Sequence, residues 1–275
     1  ICTNGTMVTE RAHHAMTMLA DGRVLHNGGS NASGTLATSE IYDPQPSTYP
    51  ASDAMTPRRS GHTSTLLQNG KVLVTGGGYS GGFGGLFTYL SSAEIFDPAT
   101  GSYTAVPGSM ISARSGHSAI LLSNGKVLLA GGSNGQSNAL ASAELYDPLT
   151  NSFTATGTLG TARTGHRAIM LTTGNVLFTG GVSASNQTLS STELYNPATG
   201  QFSAGNAMSS PRSSHAMTVT AGGRVLITGG YNSNSLNSAE MYNPVSGMFY
   251  SVDSMLTVRT NHTAVTLQNG KVLVA

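Results

Sequence analysis

Two adjacent glycines recur along the chain, at Gly28-Gly29, Gly76-Gly77, Gly131-Gly132, Gly180-Gly181 and Gly229-Gly230. Each pair closes a short apolar run. Each is followed by Ser/Thr-x-Glu, an apolar–aromatic pair and then Asp-Pro or Asn-Pro. A pattern copied at nearly constant spacing is the mark of a repeat architecture, in which one supersecondary unit is built several times over. Length alone, at 275 residues, would suggest one or two domains, and the repeat overrides that count.

Each copy reads as four short antiparallel strands, called A to D by their place in the repeat. Residues 59–77, RSGHTSTLLQNGKVLVTGG, give strands A and B joined at Asn69-Gly70, a dipeptide suited to a two-residue hairpin turn. The same joint stands at Asp21-Gly22, Asn124-Gly125, Gly222-Gly223 and Asn269-Gly270, with a weaker version at Thr173-Gly174. Residues 91–106, SSAEIFDPATGSYTAV, give strands C and D around an Asp-Pro turn. There proline fixes φ, Asp accepts a backbone N–H and Gly takes positive φ. The histidine opening strand A falls at positions 14, 62, 117, 166, 215 and 262, in steps of 48, 55, 49, 49 and 47.

Four-stranded repeats of about fifty residues, with an apolar run into Gly-Gly, a Glu two residues before Tyr or Phe and an aromatic on strand D, resemble kelch repeats. The resemblance covers nearly the whole chain. It implies an all-β fold, a kelch-type β-propeller of about six blades with four antiparallel strands each. The blades fall near 9–55, 56–110, 111–159, 160–208 and 209–255, with a last blade from 256–275 plus 1–8, and the whole of 1–275 forms one domain. The strand-D tryptophan of the family is absent, and Tyr49, Tyr103, Phe153, Phe202 and Phe249 stand in its place. Strands A and B occur six times but C and D only five. Residues 1–8 are therefore expected to supply a strand D that closes the incomplete last blade; the alternative is that the chain continues beyond Ala275. Closure matters because an open sheet edge invites aggregation.

Charge is sparse. With 9% charged residues and a net charge of +1, nothing argues for nucleic acid or an anionic membrane surface. No apolar run approaches the ~20 residues of a membrane helix. The sparse charge and the abundant Ser, Thr, Asn and Gly suggest a secreted or cell-surface protein. The chain starts at Ile1 without Met or a signal peptide, as a processed product or a fragment would. The single cysteine, Cys2, has no internal disulfide partner. Sequons stand at Asn4, Asn31, Asn186 and Asn261.

The charges that do occur are periodic. Arg11, Arg59, Arg114, Arg163, Arg212 and Arg259 each lie three residues before the strand-A histidine, and Glu40, Glu94, Glu144, Glu193 and Glu240 lie on strand C. A charged ring that binds an anion is one reading. An Arg–Glu pair that locks each blade is the preferred one, because a ligand site rarely needs the same residues in every blade. The repeated histidines are expected to bond the neighbouring blade, since blades pack roughly 10 Å apart and zinc needs nitrogens at about 2.0–2.1 Å. His13 and His26 fall outside the pattern. The turn residues Asp43, Asp97, Asp147, Asn196 and Asn243 interchange Asp with Asn, which suits turn capping and not calcium, whose sites usually need several carboxylates. The cations after the hairpin glycine, such as Lys71 and Lys126, are expected to be solvated. No metal and no cofactor is expected.

Repeated positions serve the scaffold, so a function is sought where the repeats differ. The B–C loops vary most and share one face with the D–A loops. In the second repeat this loop, at 77–89, is longest and carries Tyr79, Phe83, Phe87 and Tyr89 among glycines. Exposed aromatics on a flexible loop suit a sugar ring or a protein hot spot; packing over the blade edge is the alternative. Tyr231, Asn232, Asn234 and the loop at 183–190 would complete the rim. The expectation is a non-catalytic module that binds protein or glycan through this face. A self-associating subunit of a surface layer or filament is the alternative. A galactose-oxidase-like copper enzyme is a further one, opposed by the placement of Cys2 and by the lack of a non-repeating His/Asp/Glu cluster.

Overall fold

The computed structural model describes residues 5–81, 85–136 and 138–275. The chain divides into two compact units, Ile1–Leu128 with Glu144–Ala155, and Leu129–Ala143 with Thr156–Ala275. Among the described residues there is no helix, and so none long and apolar enough to cross a membrane.

Five antiparallel sheets have four strands in the order A-B-C-D. In the second repeat these are Thr63–Leu66, Val72–Thr75, Ala93–Asp97 and Ser102–Ala105. In the fourth they are Arg167–Met170, Val176–Thr179, Thr192–Asn196 and Gln201–Ala204. Strand B is apolar at nearly every position (VLVT, VLLA, VLFT) and buried throughout. The alternation of a one-sided sheet would be wrong here, because these strands are buried on both faces. Leu25, Ile41, Met55, Val72, Val74 and Phe96 form such a core between the first two sheets. Leu177, Met208, Val225, Ile227 and Tyr242 do the same between the fourth and fifth. The strand-D aromatic faces the aromatic of strand C, with ring centroids 4.8 Å apart for Phe96–Tyr103, 5.0 Å for Tyr146–Phe153 and 4.7 Å for Tyr242–Phe249. Cross-strand aromatic pairs of this kind contribute beyond the area they bury.

Three details depart from the expectation. The A–B joint is a three-residue loop, not a two-residue one: Gly70 N–H donates to Leu67 O at 3.0 Å and Leu67 N–H to Lys71 O at 2.8 Å, with Gly70 at φ +80°. A type I turn followed by a left-handed glycine absorbs the strand twist in this way. Tyr49 lies outside its strand, which is only Ala51–Ser52, yet its ring still meets Tyr42 at 4.9 Å. The 77–89 segment is no featureless loop: Gly78–Ser80 pairs with Phe87–Tyr89 as a hairpin. Lys71 and Lys126, expected to be solvated, keep side chains partly open to water and also reach Asp97 and Asp147 at 3.0 and 3.1 Å.

The last hairpin, Ala264–Thr266 with Val272–Val274, stands as a two-stranded sheet among the described residues. Of the closing strand expected at 1–8, residues 1–4 lie outside the described residues, and 5–8 carries no strand.

Candidate functional site

The periodic charges meet in pairs. Arg11–Glu40, Arg59–Glu94, Arg114–Glu144, Arg163–Glu193 and Arg212–Glu240 are ion pairs of 2.6–2.8 Å between buried side chains. Arg59 shows the full arrangement. Its Nη1 donates to the carbonyls of Gly76 and Ser92, and its Nη2 to Ser92 Oγ and Glu94 Oε1. Glu94 also accepts the backbone N–H of Thr56 in the chain leading into the sheet. The Arg59 main chain faces the other way: its carbonyl accepts Gly29 N–H of the preceding repeat at 2.9 Å, and its N–H donates to Leu36 O. Arg59 therefore ties its own sheet through the side chain and the sheet before it through the backbone, and the carbonyls of Arg114, Arg163 and Arg212 accept Gly77, Gly132 and Gly181 N–H in the same way. Burial pulls Arg59 below the usual arginine range, against the opposing pull of Glu94. For Glu40, burial pushes the carboxyl up, but Arg11 and the N–H groups of Val8 and Thr9 outweigh it and hold it below the usual range. Arg259 differs: it is exposed, and among the described residues no glutamate pairs with it.

The histidines bond across sheets. His62 Nε2 lies 3.2 Å from Asn27 Oδ1, His215 Nε2 2.7 Å from Thr179 Oγ1 and His262 Nε2 2.8 Å from Thr228 Oγ1. Each partner is the residue just before a Gly-Gly pair, and the ring sits where a Cβ on the first glycine would fall. Burial pulls His62 down to about 3, so it is neutral in the folded chain. Of the two irregular histidines, His26 sits beside His14, Nδ1 to Nε2 3.5 Å. His13 explains itself through a feature that sequence reading missed. The residue before each strand-A histidine is left-handed: His13, Gly61, Gly116, Gly165, Ser214 and Asn261 have φ between +52° and +64°. Gly61 N–H donates to His13 O and Gly116 N–H to Gly61 O in one unit; Ser214 N–H donates to Gly165 O and Asn261 N–H to Ser214 O in the other. Glycine or asparagine at four of these six places was the available signal.

On the second repeat's hairpin, Tyr79 and Tyr89 are half-buried, Phe87 is 40% exposed and Leu86 91% exposed. Phe87 meets Tyr89 edge-on at 4.9 Å, and the Arg58 guanidinium covers the Tyr79 ring at 5.4 Å. Phe83 lies outside the described residues. In the other unit Tyr231 is 46% exposed, on a small hairpin that pairs Tyr231–Asn232 with Asn234–Ser235. Thus Tyr79, Phe87 and Tyr89 come together, and Tyr231, Asn232 and Asn234 form a second cluster.

One cation escaped notice in the sequence. Strand A carries AMTM, TSTL, SAIL, RAIM, AMTV and AVT in the six repeats, so Arg167 is the one charge on these strands. Its signal was the replacement of a small residue: the sibling positions are Ala15, Thr63, Ser118, Ala216 and Thr263.

Antiparallel four-stranded sheets of one strand order, bonded in series through an arginine and a glycine pair, define a repeat protein of the β-propeller class. The family model for the KLHDC2/KLHL20/DRC7 Kelch-repeats domain matches residues 83–275, and the chain belongs to the kelch-repeat family. Among solved structures it is similar to a novel fungal alcohol oxidase of the AA5 family in complex with copper, with a TM-score of 0.78 and 19% identity over 98% of this chain. The chain spans 59% of that oxidase's length. It is also similar to YjhT, with a TM-score of 0.77 and 13% identity, over 98% of this chain and 94% of the other. No curated protein matches it. Among the described residues no three His, Cys, Asp or Glu side chains converge as a metal site would require.

Proposed function

We propose that the chain is a non-catalytic recognition module, secreted or displayed at the cell surface, which binds a protein partner through the face carrying the B–C and D–A loops. The observation that carries this reading is the second repeat's hairpin, where Leu86 and Phe87 stand exposed at the tip of a paired, backbone-bonded ribbon. Adjacent exposed apolar side chains suit contact with a partner, and a hairpin presents them with less entropy to lose than a free loop. A glycan partner, the other reading, wants open ring faces for stacking. Here Arg58 lies over Tyr79, and Phe87 and Tyr89 pack on each other. The similarity to a copper-containing alcohol oxidase favours an enzyme as the second reading, and copper content after purification addresses it directly.

The test pairs purified surface proteins and a glycan array with the wild-type chain and the Leu86→Ser/Phe87→Ser variant. Binding to a protein that the variant loses at unchanged thermal stability supports the reading. Equal binding by both would move the site elsewhere, and glycan binding alone would replace the partner class. A mass that grows with concentration would favour the self-associating subunit.

A further inference from the structure

Arg167 is the first residue of strand A in the fourth repeat, an edge strand that lies beside strand A of the fifth. Its Nε donates to His215 O at 2.7 Å, a bond that fixes the plane of the guanidinium. The bond leaves both terminal nitrogens without a protein acceptor among the described residues, and no carboxylate lies within ion-pair distance. The side chain is reachable by water and yet crowded by protein, and burial pulls it below the usual arginine range with no acid to offset the pull. The arginine three residues before the strand-A histidine is satisfied by its own glutamate in every complete repeat, Arg163 by Glu193 in this one, so Arg167 has no place in that scheme. The sibling residues Ala15 and Ala216 show that the scaffold does not require a cation at this point.

A planar fork held by one backbone bond, with two donors turned to solvent, matches the paired oxygens of a carboxylate or phosphate. We propose that Arg167 is the anchor of a binding site for a small oxyanion, a carboxylate or phosphate carried by a soluble ligand. Nearby His215 and His262 are pulled below the usual histidine range, by burial first and then by arginines, Arg167 and Arg212 at His215, Arg259 and Arg167 at His262. The site stands independently of the partner-binding reading, since it is in a different unit from the Leu86–Phe87 hairpin and its occupancy is measured with the anion alone.

Inorganic phosphate and acetate are titrated separately into the full chain, and the arginine Nε–H resonances are followed by NMR. The expected result is a saturable shift of the Arg167 resonance by at least one of the two; the stronger binder identifies the class. Arg167→Ala should weaken that binding about 10- to 100-fold, as loss of a charged hydrogen-bonding pair does, while leaving the melting temperature unchanged because Ala already occupies sibling positions. Arg167→Lys should fall between, lacking the fork. No saturable shift, equal affinity in Arg167→Ala, or an equal loss in the exposed control Arg224→Ala would overturn the proposal.

Discussion

Replacing Arg59 by methionine separates the bracing reading of the Arg–Glu pairs from any binding role. The substitution keeps an unbranched side chain but removes four hydrogen bonds, to Gly76 O, Ser92 O, Ser92 Oγ and Glu94 Oε1. Glu94, whose side chain is 5% exposed, is left with only the Thr56 N–H as a partner. Breaking one partner of a buried pair costs about 3–5 kcal/mol. Spread over the unfolding entropy of a 275-residue chain, about 4 kcal/mol lowers the melting temperature by roughly 7 °C. Calorimetry of Arg59→Met should show that drop. The chain supplies its own control, because Arg259 is exposed and pairs with no glutamate among the described residues, so Arg259→Met should change stability by no more than about 0.5 kcal/mol. The double variant Arg59→Met/Glu94→Met should be more stable than Arg59→Met alone, since it removes the stranded carboxyl. Equal effects at Arg59 and Arg259, or a double variant worse than the single, would refute the idea that buried pairing holds these junctions.

Acid should weaken the fold through His62. Its folded form is neutral, with a pKa of about 3 against roughly 6.5 when unfolded, so between those values the unfolded chain binds the extra proton and stability falls as pH falls. At pH 4.5 the loss from His62 is about 2–3 kcal/mol. Denaturant titrations should show it, with a shallower pH slope in His62→Gln and no difference above pH 7. Two glycines with like dihedrals should respond unequally. Gly70→Ala at φ +80° finds open space and should cost about 1–2 kcal/mol. At Gly77, φ +79°, a Cβ would fall 2.6 Å from Ser60 O, so Gly77→Ala should cost considerably more, read from the same denaturant midpoints.

The repeat was legible because its requirements are local and multiplied. Gly76-Gly77 must be glycine because backbone from two neighbouring sequence segments presses on it, and the same pressure recurs in each copy. Glu94 and Arg59, 35 residues apart, were legible as a pair only because the spacing repeated. Where a copy is unique, sequence gave less. The 77–89 segment looked like a glycine-rich loop, yet its two short strands pair, and Gly78 is overlain by the Phe87 ring. The left-handed position before each histidine was hidden by its variety of residues, since His13 and Ser214 there carry no conformational signature of their own. Arg167 has only a faint signal, a single cation on one strand A where its siblings Ala15, Thr63, Ser118, Ala216 and Thr263 are small.

The second glycine of a pair and the arginine carbonyl that receives its N–H always belong to different repeats, as in Gly29 with Arg59, Gly77 with Arg114 and Gly181 with Arg212. No copy of the motif is therefore self-sufficient: excised alone, it would carry a buried donor whose acceptor had been left behind in its successor. Splicing one repeat out, or grafting one in from a relative, succeeds only if the newcomer presents its arginine main chain to the predecessor in the same pose. The heritable module is thus the seam between two sheets and not the sheet itself, and duplications that respect the seam are the ones such a chain can absorb.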